Sequence, residues 1–168
     1  MNQTKESNPQ KIRSTVLGRI ARRLILFPVL AIAGLYFLSL TAAKPDNLGV
    51  VDGQLAQCPK SPNCVSTQST DSEKTMPSIA IINDGAQTLS TIKSAISSNC
   101  PNAKLITESD SYLHYEFTSL LFRFVDDVEF FADDKEQVVH FRSASRVGHS
   151  DMGANKKRMS KICESLKQ

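Results

Sequence analysis

Residues 121–146 read LFRFVDDVEFFADDKEQVVHFRSASR. Two runs rich in Val and Phe flank the polar tetrad Asp133-Asp134-Lys135-Glu136, which predicts an antiparallel hairpin with strands over 121–132 and 137–146. With 133–136 as a four-residue turn, Phe130 faces Val139 and Val128 faces Phe141 on one side of the sheet. Glu129 then faces His140, and Asp127 faces Arg142, on the other. A slip of one residue would set core residues against charges. Asp126, Ser143 and Ser145 fall on the apolar side, where each needs a hydrogen-bond partner.

Outward from the hairpin, two more strand-like runs cover 103–108 and 112–118. They are joined by Ser109-Asp110-Ser111, and the second leads into the hairpin through Ser119-Leu120. Links this short predict antiparallel neighbours. Before them, Asp84 is a good N-cap for a helix with Leu89, Ile92 and Ile96 on one face, ending at Asn99 ahead of Cys100-Pro101. After them, a helix beginning near Asp151 places Met159, Ile162, Cys163 and Leu166 at i, i+3, i+4 and i+7. The order α-β-β-β-β-α argues for a two-layer α+β domain over 58–168, with helices on one face of a four-stranded antiparallel sheet. From Lys44 to roughly Ser78 the chain is rich in Pro, Ser, Thr and Asn without sustained periodicity, which reads as a linker over 44–57 followed by an ordered but irregular segment.

Upstream lies LILFPVLAIAGLYFLSLTAA, opening on Leu24 and closing on Ala43 without a charge. About 20 residues at roughly 1.5 Å rise span about 30 Å, the thickness of a bilayer's hydrocarbon. Residues 1–23 hold six cations against one anion, so the positive-inside rule puts this basic tail in the cytoplasm and the domain outside it. The expectation is a single-pass bacterial inner-membrane protein with an extracytoplasmic, periplasmic domain, partnered with the membrane through 24–43. A cleaved signal peptide is the alternative, because Thr41-Ala42-Ala43 offers small residues. The n-region and apolar core are both longer than such peptides usually carry.

The tail also sets the net charge. Of 20 cations and 17 anions overall, 14 and 16 lie beyond residue 23, so the domain lacks the basic footprint of a nucleic-acid binder. Cys58, Cys64, Cys100 and Cys163 all follow the apolar run, where disulfides are permitted. Four cysteines allow three connectivities. Cys58 and Cys64 are close together in CPKSPNC and are the first candidate pair, with Cys100–Cys163 a second if their helices pack side by side. His114, His140 and His149 make no paired ligand spacing with the cysteines, so neither a metal nor a cofactor is expected.

The polar residues concentrate in RSASRVGHSDMGANKKR, residues 142–158. Ser150 or Asp151 can cap the last helix, and Lys156, Lys157 and Arg158 in its first turns oppose the helix dipole. Asp126, Asp127 or Asp151 would offset that charge, as would a bound anion. Arg158 is expected to reach the carboxylates beside Arg142.

Three blocks together resemble a known family: CPKSPNCVST at 58–67, RFVDDVEFF at 123–131 and VVHFRSASRVGHSDMGANKKR at 138–158. The family is the domain of unknown function 1499, and the resemblance spans roughly 50–166. It implies a bacterial or plastid protein, often membrane-anchored, with no established activity. Its characteristic polar positions fall here on Cys58, Asn63, Cys64, Ser66, Asp126, Asp127, Glu129, Arg142, Ser143, Ser145, Arg146, Gly148, Asp151, Gly153, Asn155 and Arg158. His149 departs from the pattern, which commonly has an aromatic residue there.

These residues support three readings. Asp126, Asp127, Glu129, Arg142, Ser143, Ser145, Arg146, Asp151, Asn155 and Arg158 could form a structural network that fixes a sheet edge and caps a helix. The same set could bind an anionic ligand or an envelope protein, with Arg142, Arg146 and Arg158 as bidentate donors. As an envelope hydrolase, the chain would need a serine activated by His149 and Asp151, but no Gly-x-Ser-x-Gly elbow supports that chemistry. A non-enzymatic binding or structural/interaction module is the favoured reading.

Overall fold

The computed structural model describes residues 9–167, with side chains from Arg22 onward; residues 1–8 of the basic tail lie outside the described residues. In chain order the elements are α1 (Pro9–Leu40), β1 (Val50–Val51), β2 (Gln54–Leu55), β3 (Cys64–Ser66), β4 (Ile79–Ala80), α2 (Gly85–Asn99), β5 (Ala103–Glu108), β6 (Tyr112–Thr118), β7 (Val125–Asp133), β8 (Val138–Ser145) and α3 (Ala154–Ser165). Within α1, Arg22–Leu40 has a mean hydropathy of 2.0 and is long and apolar enough to cross a membrane, a test that a signal sequence also passes.

The expected antiparallel meander is present as β5-β6-β7-β8, but the sheet is larger than four strands. β3 pairs with β8 at residues 142–144, and β4 pairs with the same edge at Val138 and Val139, giving six strands. At three and two residues, β3 and β4 are too short to show a period; their place depends on the edge of β8. Residues 44–57, read as a linker, carry the small β1–β2 sheet, and the Gly49 N–H donates to the Glu129 carboxylate at 2.7 Å.

The hairpin register also differs from the expected one. Asp133 pairs with Val138, so the turn is 134–137, and every cross-strand pair moves by two positions. Phe130 faces Phe141, Glu129 faces Arg142, and Asp127 faces Ala144. The Asp133 carboxylate accepts from the N–H groups of Lys135 and Glu136, which starts the turn one residue late, and Gln137 closes it at φ 55°. A shift of two preserves the faces, so Asp126, Ser143 and Ser145 stay with Val128 and Phe130. The link between β6 and β7 is likewise longer than Ser119-Leu120. Ser119 and Phe124 close a loop by exchanging hydrogen bonds, and Arg123 turns it at φ 58°, so β7 begins at Val125 instead of residue 121.

Both helices pack on one face of the sheet. Asp84 caps α2 by accepting from the Gln87 N–H at 2.7 Å. Leu89, Ile92 and Ile96 of α2 meet Met159 and Ile162 of α3 over Leu113, Phe117, Val128, Phe130, Val139 and Phe141. Each large side chain buried there contributes roughly 1.5–3 kcal/mol relative to exposure.

Cys58 and Cys64 are joined, with Cα atoms 5.7 Å apart. Cys100 and Cys163 are free thiols, contrary to the second candidate pair. They line different hollows, Cys100 beside Ala103 and Tyr115 and Cys163 beside Ile79 and Leu166. Burial pushes both thiols above their ordinary pKa.

At Gly85, where α2 starts against the end of β7, an added Cβ would come within 2.7 Å of the Ala132 Cβ and 2.8 Å of an Asp134 oxygen. Gly85→Ala is therefore expected to destabilise by about 1–3 kcal/mol through overpacking, despite alanine's better helix propensity. Urea titration of the full chain in detergent measures it; an unchanged or raised midpoint would show that the contact relaxes freely.

Candidate functional site

The expected site residues divide between the two faces of the sheet, because neighbouring strand residues point in opposite directions. On the helix-covered face are Asp126, Ser143 and Ser145, met by Asn155 and Arg158 from α3. Ser143 Oγ donates to Asn155 Oδ1 at 2.5 Å and accepts from Arg158 Nη1 at 3.1 Å. Arg158 also donates to Asn155 Oδ1 at 2.6 Å and to Asp126 at 2.5 Å, while its guanidinium lies 4.7 Å from the Phe117 ring centroid. Asn155 Nδ2 donates to the Asn63 carbonyl and to Ser145 Oγ, and Asn63 Nδ2 reaches the Gly148 carbonyl at 2.7 Å. Asp151 accepts from the N–H groups of Gly153 and Asn155, organising the entry to α3. His149 is exposed.

Arg158 therefore does not join the carboxylates beside Arg142. The sheet separates them.

The opposite face carries Asp127, Glu129, Arg142 and Arg146, joined by Tyr112, His114 and Glu116 from β6. Arg146 grips Asp127 with Nε and Nη2, both at 2.8 Å, and Nη2 also pairs with Glu116. His114 Nε2 lies 2.8 Å from Asp127 Oδ1. Glu129 accepts from Arg142 Nη1 at 3.2 Å, Tyr112 Oη at 2.8 Å and the Gly49 N–H. Asp127 and Glu129 are only 1% and 0% exposed, so this is a charged sheet face held out of water. Buried carboxylates persist only when paired and hydrogen-bonded. Burial pushes the Asp127 carboxyl up, but hydrogen bonds and charge from Arg146 and His114 outweigh it and hold the group below its ordinary value. The Asp127 hydrogen bond in turn raises the Arg146 guanidinium, against desolvation. Burial, reinforced by Glu129, pushes the Tyr112 hydroxyl far above its ordinary range.

Beside this face is a cavity of about 330 Å³, bounded by Pro45, Asn47, Gln57 and Pro59 on one side and Asp127, Arg142, Ser145 and Arg146 on the other. Arg142 is 5% exposed, yet its Nε–H has no acceptor among the described residues. The rim is fixed by the Cys58–Cys64 loop, whose Pro59 and Lys60 carbonyls both accept from the buried Lys74 ammonium, at 2.7 and 3.1 Å.

Sequence reasoning missed Tyr112, His114, Glu116 and Lys74. The β6 signal was present, since Tyr112, His114 and Glu116 alternate with Leu113, Tyr115 and Phe117. Placing those residues opposite Asp127 and Glu129 requires the β6–β7 register, which the 119–124 loop conceals.

Arg146→Ala is expected to cost about 3–5 kcal/mol, since it leaves the Asp127 carboxylate buried with His114 alone. Arg142→Ala should cost less, because Glu129 keeps Tyr112 and Gly49 as donors. Asp127 titrates lower in the folded state, so its stabilisation is present above the ordinary value of 3.8 and is lost as pH falls through the lower folded value. Urea midpoints taken from neutral to acid pH should fall in the native chain. In Arg146→Ala the Asp127 contribution to that fall should be diminished; an unchanged acid profile would remove Arg146 as its cause.

No curated protein and no solved structure matches the chain. The family described as "Protein of unknown function (DUF1499)" matches residues 54–166, which contain β2 through α3, the disulfide and the side chains of both polar networks. With the larger part of its length covered, the chain belongs to the DUF1499 family.

Proposed function

We propose that this protein is a membrane-anchored binding module whose outer domain takes a small ligand into the cavity beneath residues 45–59. Arg142 is the donor that recognises it. The observation carrying this reading is Arg142, a cavity-lining residue 5% exposed whose Nε–H, just beneath the cavity surface, lacks an acceptor among the described residues. A buried donor without an acceptor typically costs about 1–3 kcal/mol, and a ligand oxygen would recover it. Asp127 and Glu129 do not take that N–H in the ligand's place, because each already accepts from several donors, Glu129 from Arg142 Nη1 among them. The ligand chemistry is therefore an oxygen acceptor, anionic or amide-like, reached through the amide-bearing rim of Asn47 and Gln57.

Titrating the full chain in detergent with inorganic phosphate, acetate and neutral acetamide tests this. Saturable thermal stabilisation by at least one is expected, and acetate against acetamide separates charge from a bare carbonyl. The effect should vanish in Arg142→Gln and in Gln57→Trp, which occludes the rim without touching an ion pair. Stabilisation unchanged in both variants, or none by any probe, would overturn the reading.

α1 is proposed to remain as the anchor, with the basic tail in the cytoplasm and the domain outside a bacterial inner membrane. The charge asymmetry and the Cys58–Cys64 bond support that orientation. Protease added to spheroplasts should digest the domain and leave a short membrane fragment. Protection of the whole chain would reverse the topology, and a mature N-terminus after Ala43 would establish cleavage.

A further inference from the structure

We infer that the end of the domain nearest the anchor docks on the lipid bilayer, with the 119–124 loop and Met152 seated in the membrane interface. This rests on α1 being a retained anchor. The loop has the sequence Ser-Leu-Leu-Phe-Arg-Phe, and Leu120 and Leu121 are 89% and 64% exposed. Closure by Ser119 and Phe124, with Arg123 at φ 58°, holds their side chains outward, while the Phe122 and Phe124 rings pack 5.7 Å apart beneath. Met152, between β8 and α3, is 90% exposed and held at φ 53°. The two loops leave the same end of the sheet, where the Arg146 N–H donates to the Val125 carbonyl at 3.1 Å. Arg123, Lys156 and Lys157 are exposed around them. Apolar tips ringed by cations suit the boundary between acyl chains and anionic headgroups.

The path of the tether favours a bilayer over a protein partner. Pro45 borders the cavity together with Ser145 and Arg146, so the chain enters the domain at this same end of β8. From the end of α1 at Leu40 to Pro45, the backbone can span at most about 18 Å fully extended. A domain held so close, by this end, brings the 119–124 loop to the membrane. The opposite end of the sheet, where the Ile81 N–H donates to the Gln137 carbonyl, lies about 26 Å away along β7. It presents Ile82, which is equally apolar and 79% exposed, and so provides a matched control.

The chain contains no tryptophan, so a single introduced one reports its own surroundings. Full-length Leu121→Trp and Ile82→Trp are reconstituted in phosphatidylethanolamine–phosphatidylglycerol vesicles, with and without brominated acyl chains. Docking predicts blue-shifted emission at position 121 that loses most of its intensity to brominated lipid, and water-exposed, unquenched emission at 82. Equal quenching at both positions, or none at 121, overturns the inference. A blue shift at 121 without quenching also overturns it, by placing the loop against protein. Carbonate extraction of the same vesicles separates the two levels of failure. Release of the protein removes the anchor on which the inference rests, whereas retention without quenching removes the docking face alone.

Discussion

The two-pronged bond from Arg146 to Asp127 is the interaction around which the α+β domain is arranged. β7 places carboxylates on both of its faces, Asp126 toward the helices and Asp127 and Glu129 away from them. Neither face is left to water, so each carboxylate needs cations delivered by another element. β8 supplies Arg146 and Arg142 to one side, and α3 supplies Arg158 to the other. The resulting order is specific because almost every alternative strand pairing would bury a charge alone. Stability comes chiefly from the apolar layer; the charged layer fixes which pairing that stability serves.

Much of the architecture was legible in the sequence. α2 carries its apolar face and its Asp84 cap where the spacing predicts, and β5 and β6 span the predicted residues. The β7–β8 register was not legible, because Asp133 and Asp134 are adjacent and either can open a turn; the backbone at Gln137 decides between them. β3 and β4 were hidden for another reason. A strand of two or three residues has no period of its own and exists through its partner. The candidate site suffered from the same locality: all ten proposed residues are held in polar networks, but the sheet divides them into two, and three of the second network's seven side chains come from β6.

The Cys58–Cys64 loop links these networks. Asn63, one residue before the bridge, ties the end of β8 to α3 on the helix side, while Pro59 on the same loop borders the cavity on the other. A short covalent loop at a sheet edge thus positions groups belonging to both faces.

The segment between α1 and β1 has a mechanical consequence. Residues 45–49 lie over the charged face, with the Gly49 N–H donating to the Glu129 carboxylate and Pro45 and Asn47 forming part of the cavity wall. Tension between a membrane-held α1 and the domain would load this segment before it loaded any strand of the main sheet. The pull would tend to peel residues 45–49 away from the Arg142 side, beginning with the wall of the cavity. If α1 is held in a membrane as proposed, the tether is in series with this wall of the cavity, so the distance between membrane and domain and the accessibility of the buried guanidinium would be mechanically coupled.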